Sequence, residues 1–88
     1  IAARGDYPEA SLDLAVTLGR AGRVDESIRT YRALVAAHPR YVNARFNLAV
    51  ALDQAGRSAD ARQELVQALE IDPDHVASRL RIARISWR

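Results

Sequence analysis

The chain has no cysteine, no lysine and no methionine, and no apolar run near the ~18 residues that a membrane-crossing helix needs. Without cysteine, disulfides and thiolate metal sites are excluded and the redox compartment is left open. Without lysine, all thirteen cationic side chains are arginine. Arginine and the abundant alanine both use GC-rich codons, which points to a GC-rich bacterial source. Methionine is missing even from the first position, where Ile1 stands. The chain therefore reads as a segment of a longer protein or a processed product, with any catalytic domain lying outside it. No charged-then-apolar leader marks a signal peptide. The compartment stays open, with the cytoplasm favoured.

At 88 residues the chain makes one domain at most. Nearly half its residues are apolar and about a quarter charged, the balance of an ordinary soluble globular protein. The net charge of +2 is unevenly placed. Residues 1–74 carry nine arginines against eleven acids, whereas residues 75–88 carry Arg79, Arg81, Arg84 and Arg88 and no acid. The basic balance thus belongs to the last segment.

Against that background two spacings repeat. Gly22 to Gly56 is 34 residues, and so is Pro39 to Pro73. Residues between them recur in the same register, as Leu14/Leu48/Ile82, Ala15/Ala49/Ala83, Leu18/Leu52 and Tyr7/Tyr41. A period of that size marks stacked units, none of which buries its apolar side alone. Apolar and small residues recur every three or four positions in five segments, roughly 8–20, 25–37, 42–55, 59–71 and 76–87. Such spacing predicts five helices, and no sustained period-two alternation predicts a strand. Gly22 and Gly56 sit where a helix C-cap requires left-handed backbone, and Pro39 and Pro73 stop helices. Asp6, Asp25, Glu26, Ser58, Asp60 and Asp74 mark helix starts, where negative charge meets the dipole. The fold class is all-α, of antiparallel helix pairs.

This pattern resembles the tetratricopeptide repeat (TPR) family over nearly the whole chain. In that register two full units span 8–41 and 42–75, and a partial unit spans 76–88, about two and a half units in one domain. Small residues stand at the eighth position (Ala15, Ala49, Ala83) and at the twentieth (Ser27, Ala61), and large ones at the twenty-fourth (Tyr31, Leu65). The fourth-position tryptophan is replaced by Ser11, Arg45 and Arg79, the eleventh-position tyrosine by Leu18, Leu52 and Ser86, and the twenty-seventh-position alanine by Leu34. Drift of this kind belongs to natural repeats rather than to a designed array. The resemblance implies a right-handed superhelix with a concave groove and no cofactor.

Catalysis needs a nucleophile, base and orienter that converge, or a metal cluster. His38 and His75 are about one repeat apart, without carboxylate or thiolate company, and read as loop residues beside helix ends. The serines have no patterned histidine–acid partner, and Gly19 and Gly22 close a helix rather than open one over a phosphate. The sequence presents no enzyme, no metal site and no cofactor site.

The resemblance does imply a binding surface. The family lines its groove with fixed positions of each unit's first helix. Here these are Glu9, Leu12, Asp13, Val16, Gly19 and Arg20, then Asn43, Phe46, Asn47, Val50, Asp53 and Gln54. The partial unit adds Ala77, Leu80, Arg81, Arg84, Trp87 and Arg88. An apolar stripe of Leu12, Val16, Phe46, Val50 and Leu80 is thereby flanked by Asn43, Asn47, Arg81 and Arg84. Such a surface suits a peptide with apolar anchors, its backbone bonded by amides and its acids by arginines. The plain alternative is core, covered by a flanking helix in the parent protein. The family's carboxylate clamp is disfavoured, because only Asn47 and Arg81 match its basic and amide positions.

Arg81, Arg84 and Arg88 share one helix face, a small patch for phosphates, so nucleic acid or an anionic membrane ranks below an acidic protein partner. Ile82 and Ile85 are expected to face where a following helix would pack, with Trp87 nearby. Exposing each isoleucine forgoes roughly 1.5–3 kcal/mol. Either the array continues, the face dimerises or the helix is a solvent-facing cap, and the segment alone is expected to self-associate or to be only marginally stable. The sequence favours a protein–protein interaction scaffold. The second reading is an oligomerisation or substrate-docking region of a larger enzyme or secretion component.

Overall fold

The computed structural model describes residues 7–86. Five helices follow one another, α1 (Pro8–Arg20), α2 (Val24–Ala37), α3 (Val42–Gln54), α4 (Ser58–Ile71) and α5 (Val76–Ser86), and the described residues contain no strand. Contacts run mainly between sequence neighbours: α1 packs on α2, α2 on α3, α3 on α4 and α4 on α5. The expected all-α repeat of paired helices is therefore the observed fold.

The two glycine caps are copies of each other. Gly22 and Gly56 adopt φ of +83° and +82°, left-handed values that a side chain disfavours. Past the first, the Arg23 N–H donates to the Leu18 carbonyl at 2.9 Å and the Gly22 N–H to the Gly19 carbonyl at 3.1 Å. Past the second, the Arg57 N–H reaches the Leu52 carbonyl at 2.8 Å and the Gly56 N–H the Asp53 carbonyl at 3.0 Å. Both are Schellman closures, which satisfy carbonyls that the helix end would orphan. The proline loops match too, with turns closed by Tyr41 N–H to the His38 carbonyl and His75 N–H to the Asp72 carbonyl, each at 3.0 Å.

Helix starts differ from the expectation. Tyr7, Arg23, Tyr41 and Arg57 occupy the N-cap positions, and none makes a side-chain cap bond. Arg23 instead pairs with Glu26, and Arg57 with Asp60 at 2.8 Å, so the acids of the first turn are held by the residue before it. Both pairs are exposed, worth about 0.2–1 kcal/mol each. Ser58 is the first residue of α4 rather than its cap, and Asp6 lies outside the described residues. At α5 the cap is His75: the Ser78 N–H donates to His75 Nδ1 at 3.3 Å, while the Ser78 hydroxyl lies 2.7 Å from the same nitrogen. Asp74 serves the loop, its N–H donating to Asp72 Oδ1 at 3.1 Å.

The core is built as much from small residues as from large ones. Leu48, Leu52 and Leu65 are wholly buried, and so are Ala15, Ala44, Ala49, Ala61 and Ala68. Alanine at those sites lets backbones approach closely, and Ser27 uses the approach by donating to the Ala15 carbonyl at 2.6 Å. Position in the stack then decides exposure. Leu48 is 1 % exposed and its register partner Leu14 is 53 % exposed, because α2 covers the first and no described helix covers the second. Ala83, the counterpart of buried Ala15 and Ala49, is exposed for the same reason.

One expectation is corrected here. Ile85 does not face outward: it is 3 % exposed and part of the core. Ile82 is half-buried and packs against that core as well. Turning both isoleucines toward α4 satisfies them within the chain, and the exposed apolar residues of α5 are Val76 and Leu80 instead. Trp87 lies outside the described residues.

Candidate functional site

α1 and α3 lie side by side over α2, and a cavity of about 340 Å³ opens between them. Its walls are apolar, from Ala15 and Val16 of α1 and Val50 and Ala51 of α3. Its rim is polar, with Arg20 at the end of α1 and Asn47 and Gln54 on α3. Gly19 of α1 and, from α2, Ser27 and Tyr31 complete the lining. A Cβ at Gly19 would stand 3.3 Å from the Ser27 hydroxyl, so the bare backbone there both admits α2 and leaves the cleft open.

The structure thus brings Val16, Asn47 and Val50 together around one cavity. Leu12 and Phe46 are partly buried against the core. The Phe46 ring also meets the His75 ring edge-on, centroids 5.5 Å apart, which ties α3 to the start of α5. Asn43 is exposed, as is Arg84, and Leu80 is 62 % exposed. These three stand outside the cavity. Arg81 is engaged within the chain, its guanidinium 3.6 Å from the Asp53 carboxylate, whose side chain is only 3 % exposed. Asp53 also accepts from the Ser58 hydroxyl at 3.4 Å.

Charge is graded along this face. Burial pushes the Tyr41 phenol above its ordinary value, and the carboxylates of Glu9 and Asp13 push it further. The start of α1 is therefore locally acidic. Burial likewise raises the Tyr31 phenol, while the Arg20 guanidinium partly offsets the rise, so the end of α1 is locally basic. Tyr31 stays a neutral hydroxyl at physiological pH, able to donate into the cleft. Sequence reasoning placed the first-helix residues but missed Tyr31, which comes from α2, and the Asp53–Arg81 pair, which joins α3 to α5. Only the recurrence of large residues at the twenty-fourth position hinted at the former.

Among the described residues no group of three or more histidine, aspartate or glutamate side chains is placed to hold a metal ion. No helix among them is long and apolar enough to cross a membrane.

A family model described as Tetratricopeptide repeat matches residues 12–87. Among solved structures, a crystal structure of YrrB, described as a TPR protein with an unusual peptide-binding site, superposes with a TM-score of 0.81 at 24 % sequence identity. The match covers 85 % of this chain and 39 % of that one, so the chain spans about two fifths of that neighbour's length. No curated protein sequence matches.

Proposed function

The chain belongs to the tetratricopeptide repeat family, and from that membership we propose that it is a non-enzymatic interaction module whose α1–α3 face receives an extended segment of a partner protein. The observation that carries this reading is the open cleft of Val16, Asn47 and Val50 beside Gly19. It joins apolar walls that take a side chain to amides that bond a peptide backbone. The likeness to a fold neighbour that carries a peptide-binding site supports it. The exposed Asn43, Leu80 and Arg84 extend the same face along the stack. Phosphate-bearing partners rank lower, because Arg81, one of the few arginines on the last helix, already holds Asp53.

Asn47→Ala is the cleaner test, since Asn47 lines the cleft without belonging to the core, whereas Phe46→Ala also removes the contact with His75. A partner captured by the wild-type protein is expected to bind Asn47→Ala about fivefold or more weakly, the effect of one lost hydrogen bond. Helicity by circular dichroism should be unchanged. Equal binding by Asn47→Ala and by Val50→Ser would remove the cleft from consideration.

A further inference from the structure

The repeat supplies an internal comparison for the cleft. Moving 34 residues along the chain carries Gly19 onto Asp53, Arg20 onto Gln54 and Asn47 onto Arg81. In the second cleft, between α3 and α5, the Asp53 carboxylate is buried and meets Arg81 and Ser58. In the first cleft the equivalent position carries no side chain, and a cavity of about 340 Å³ remains. Its polar side chains are Arg20, Asn47, Gln54, Tyr31 and Ser27, the last already donating to the Ala15 carbonyl, and no carboxylate is among the residues that line it. Arg20 is in no ion pair among the described residues.

We propose that the cleft beside Gly19 seats the carboxylate of an aspartate or glutamate side chain on an extended partner peptide, with Arg20 as its counter-charge. The proposal rests on the peptide-binding reading above and adds the chemistry of the anchor. The ligand's methylenes lie between Val16 and Val50, and its carboxylate takes the place that Asp53 fills one repeat later. Asn47 and Tyr31 contribute neutral donors, and a charged donor strengthens the set. The anchor comes from within a peptide rather than from a chain end. The carboxylate it mimics is itself a side chain, and α3 continues past the cleft toward the exposed Asn43. The charge gradient places the acid: Glu9 and Asp13 repel it at the start of α1, so it sits at the Arg20 end.

The test uses the 88-residue chain and pools of N-acetylated, C-amidated nonapeptides, random except for a central glutamate in one pool and a central glutamine in the other. The wild-type chain is expected to retain the glutamate pool about tenfold more than the glutamine pool, the scale of one charged hydrogen bond. Arg20→Gln should abolish the preference. Gly19→Asp should abolish it too, by placing in the first cleft the carboxylate that the second already has. Arg20→Gln leaves the backbone and core untouched, so the proposal stays testable if Gly19→Asp folds poorly. Equal retention of both pools by the wild type overturns the proposal and leaves the peptide-binding reading standing. So does a preference that survives Arg20→Gln, or stronger retention of a third pool bearing a free C-terminal carboxylate and no internal acid. Retention of no pool at all by the wild type overturns both readings.

Discussion

Arg81 on α5 reaches across to Asp53 on α3, 3.6 Å away, and holds a carboxylate that is 3 % exposed. Taking a carboxylate out of water is costly unless a counter-charge and hydrogen bonds replace the water. The pair therefore couples the last helix to the turn between α3 and α4, where Ser58 also bonds Asp53. Arg81→Gln removes the counter-charge and leaves Asp53 buried. It is expected to lower the unfolding free energy by about 1–3 kcal/mol in urea denaturation, short of the ~3–5 kcal/mol of a fully buried pair because Arg81 is partly exposed. Asp53→Asn combined with Arg81→Gln should cost clearly less than the sum of the two single changes. Additive costs would show that the two side chains do not interact.

Gly56→Ala tests the cap geometry. No atom lies within 4 Å of a Cβ built there, so the cost comes from the positive φ alone. A loss of about 1–2 kcal/mol is expected, with Gly56→Asn recovering part of it, since asparagine tolerates the left-handed region. Thermal unfolding of the three proteins measures the order. An alanine variant as stable as wild type would contradict the assigned backbone.

His75→Ala removes both the cap of α5 and the edge contact with Phe46. Caps are worth about 0.5–2 kcal/mol. The loss should appear as faster amide exchange in α5, with α1 and α2 unaffected. His75→Ser restores the cap but not the ring contact, so intermediate protection in α5 separates the two contributions. Identical exchange in all three proteins would show that neither contact holds the helix.

Tyr31 gives the fold an alkaline limit. Its phenol is raised by burial, so the folded chain holds that proton more tightly than the unfolded chain, whose tyrosine titrates near pH 10. Stability from this group is complete below about pH 10 and is lost as pH rises through the higher folded value. Urea midpoints measured from pH 8 to pH 11 should be flat at first and fall beyond about pH 10. In Tyr31→Phe the fall should be shallower, the remainder coming from Tyr41, which is also raised. An unchanged alkaline slope in Tyr31→Phe would exclude this assignment.

Helices, glycine C-caps and close approaches were legible in the sequence because each depends on residues near one another, whereas the residues at the helix starts were not. Gly22 and Gly56 mark the left-handed turns, and Ala15 with Ser27 marks where two helices touch. What was illegible depends on the neighbour in space. Ile82 and Ile85 look the same as pattern, yet one is half-buried and the other wholly inside, because the rotation of α5 on α4 decides. Arg81 carries the same charge as Arg84, and only the carboxylate beneath it separates a structural cation from one in no ion pair among the described residues. The candidate cleft was half legible. Its first-helix residues follow from register, while Tyr31 enters from α2 and the empty place at Gly19 is visible only beside its filled counterpart at Asp53.

The sequential packing of these helices also sets how the chain comes apart. Each helix touches mainly its neighbours along the chain, so few long loops must close and folding should be fast for its size. Cohesion then passes from helix to helix as in a row of tiles, and α3, with neighbours on both sides and Leu48, Ala49 and Leu52 sealed within it, is the keystone. Loosening is expected to start at α1 or α5 and to stop at α3. The cleft spans α1 and α3, so a peptide seated there would brace a tile that loosens early against the one that holds longest.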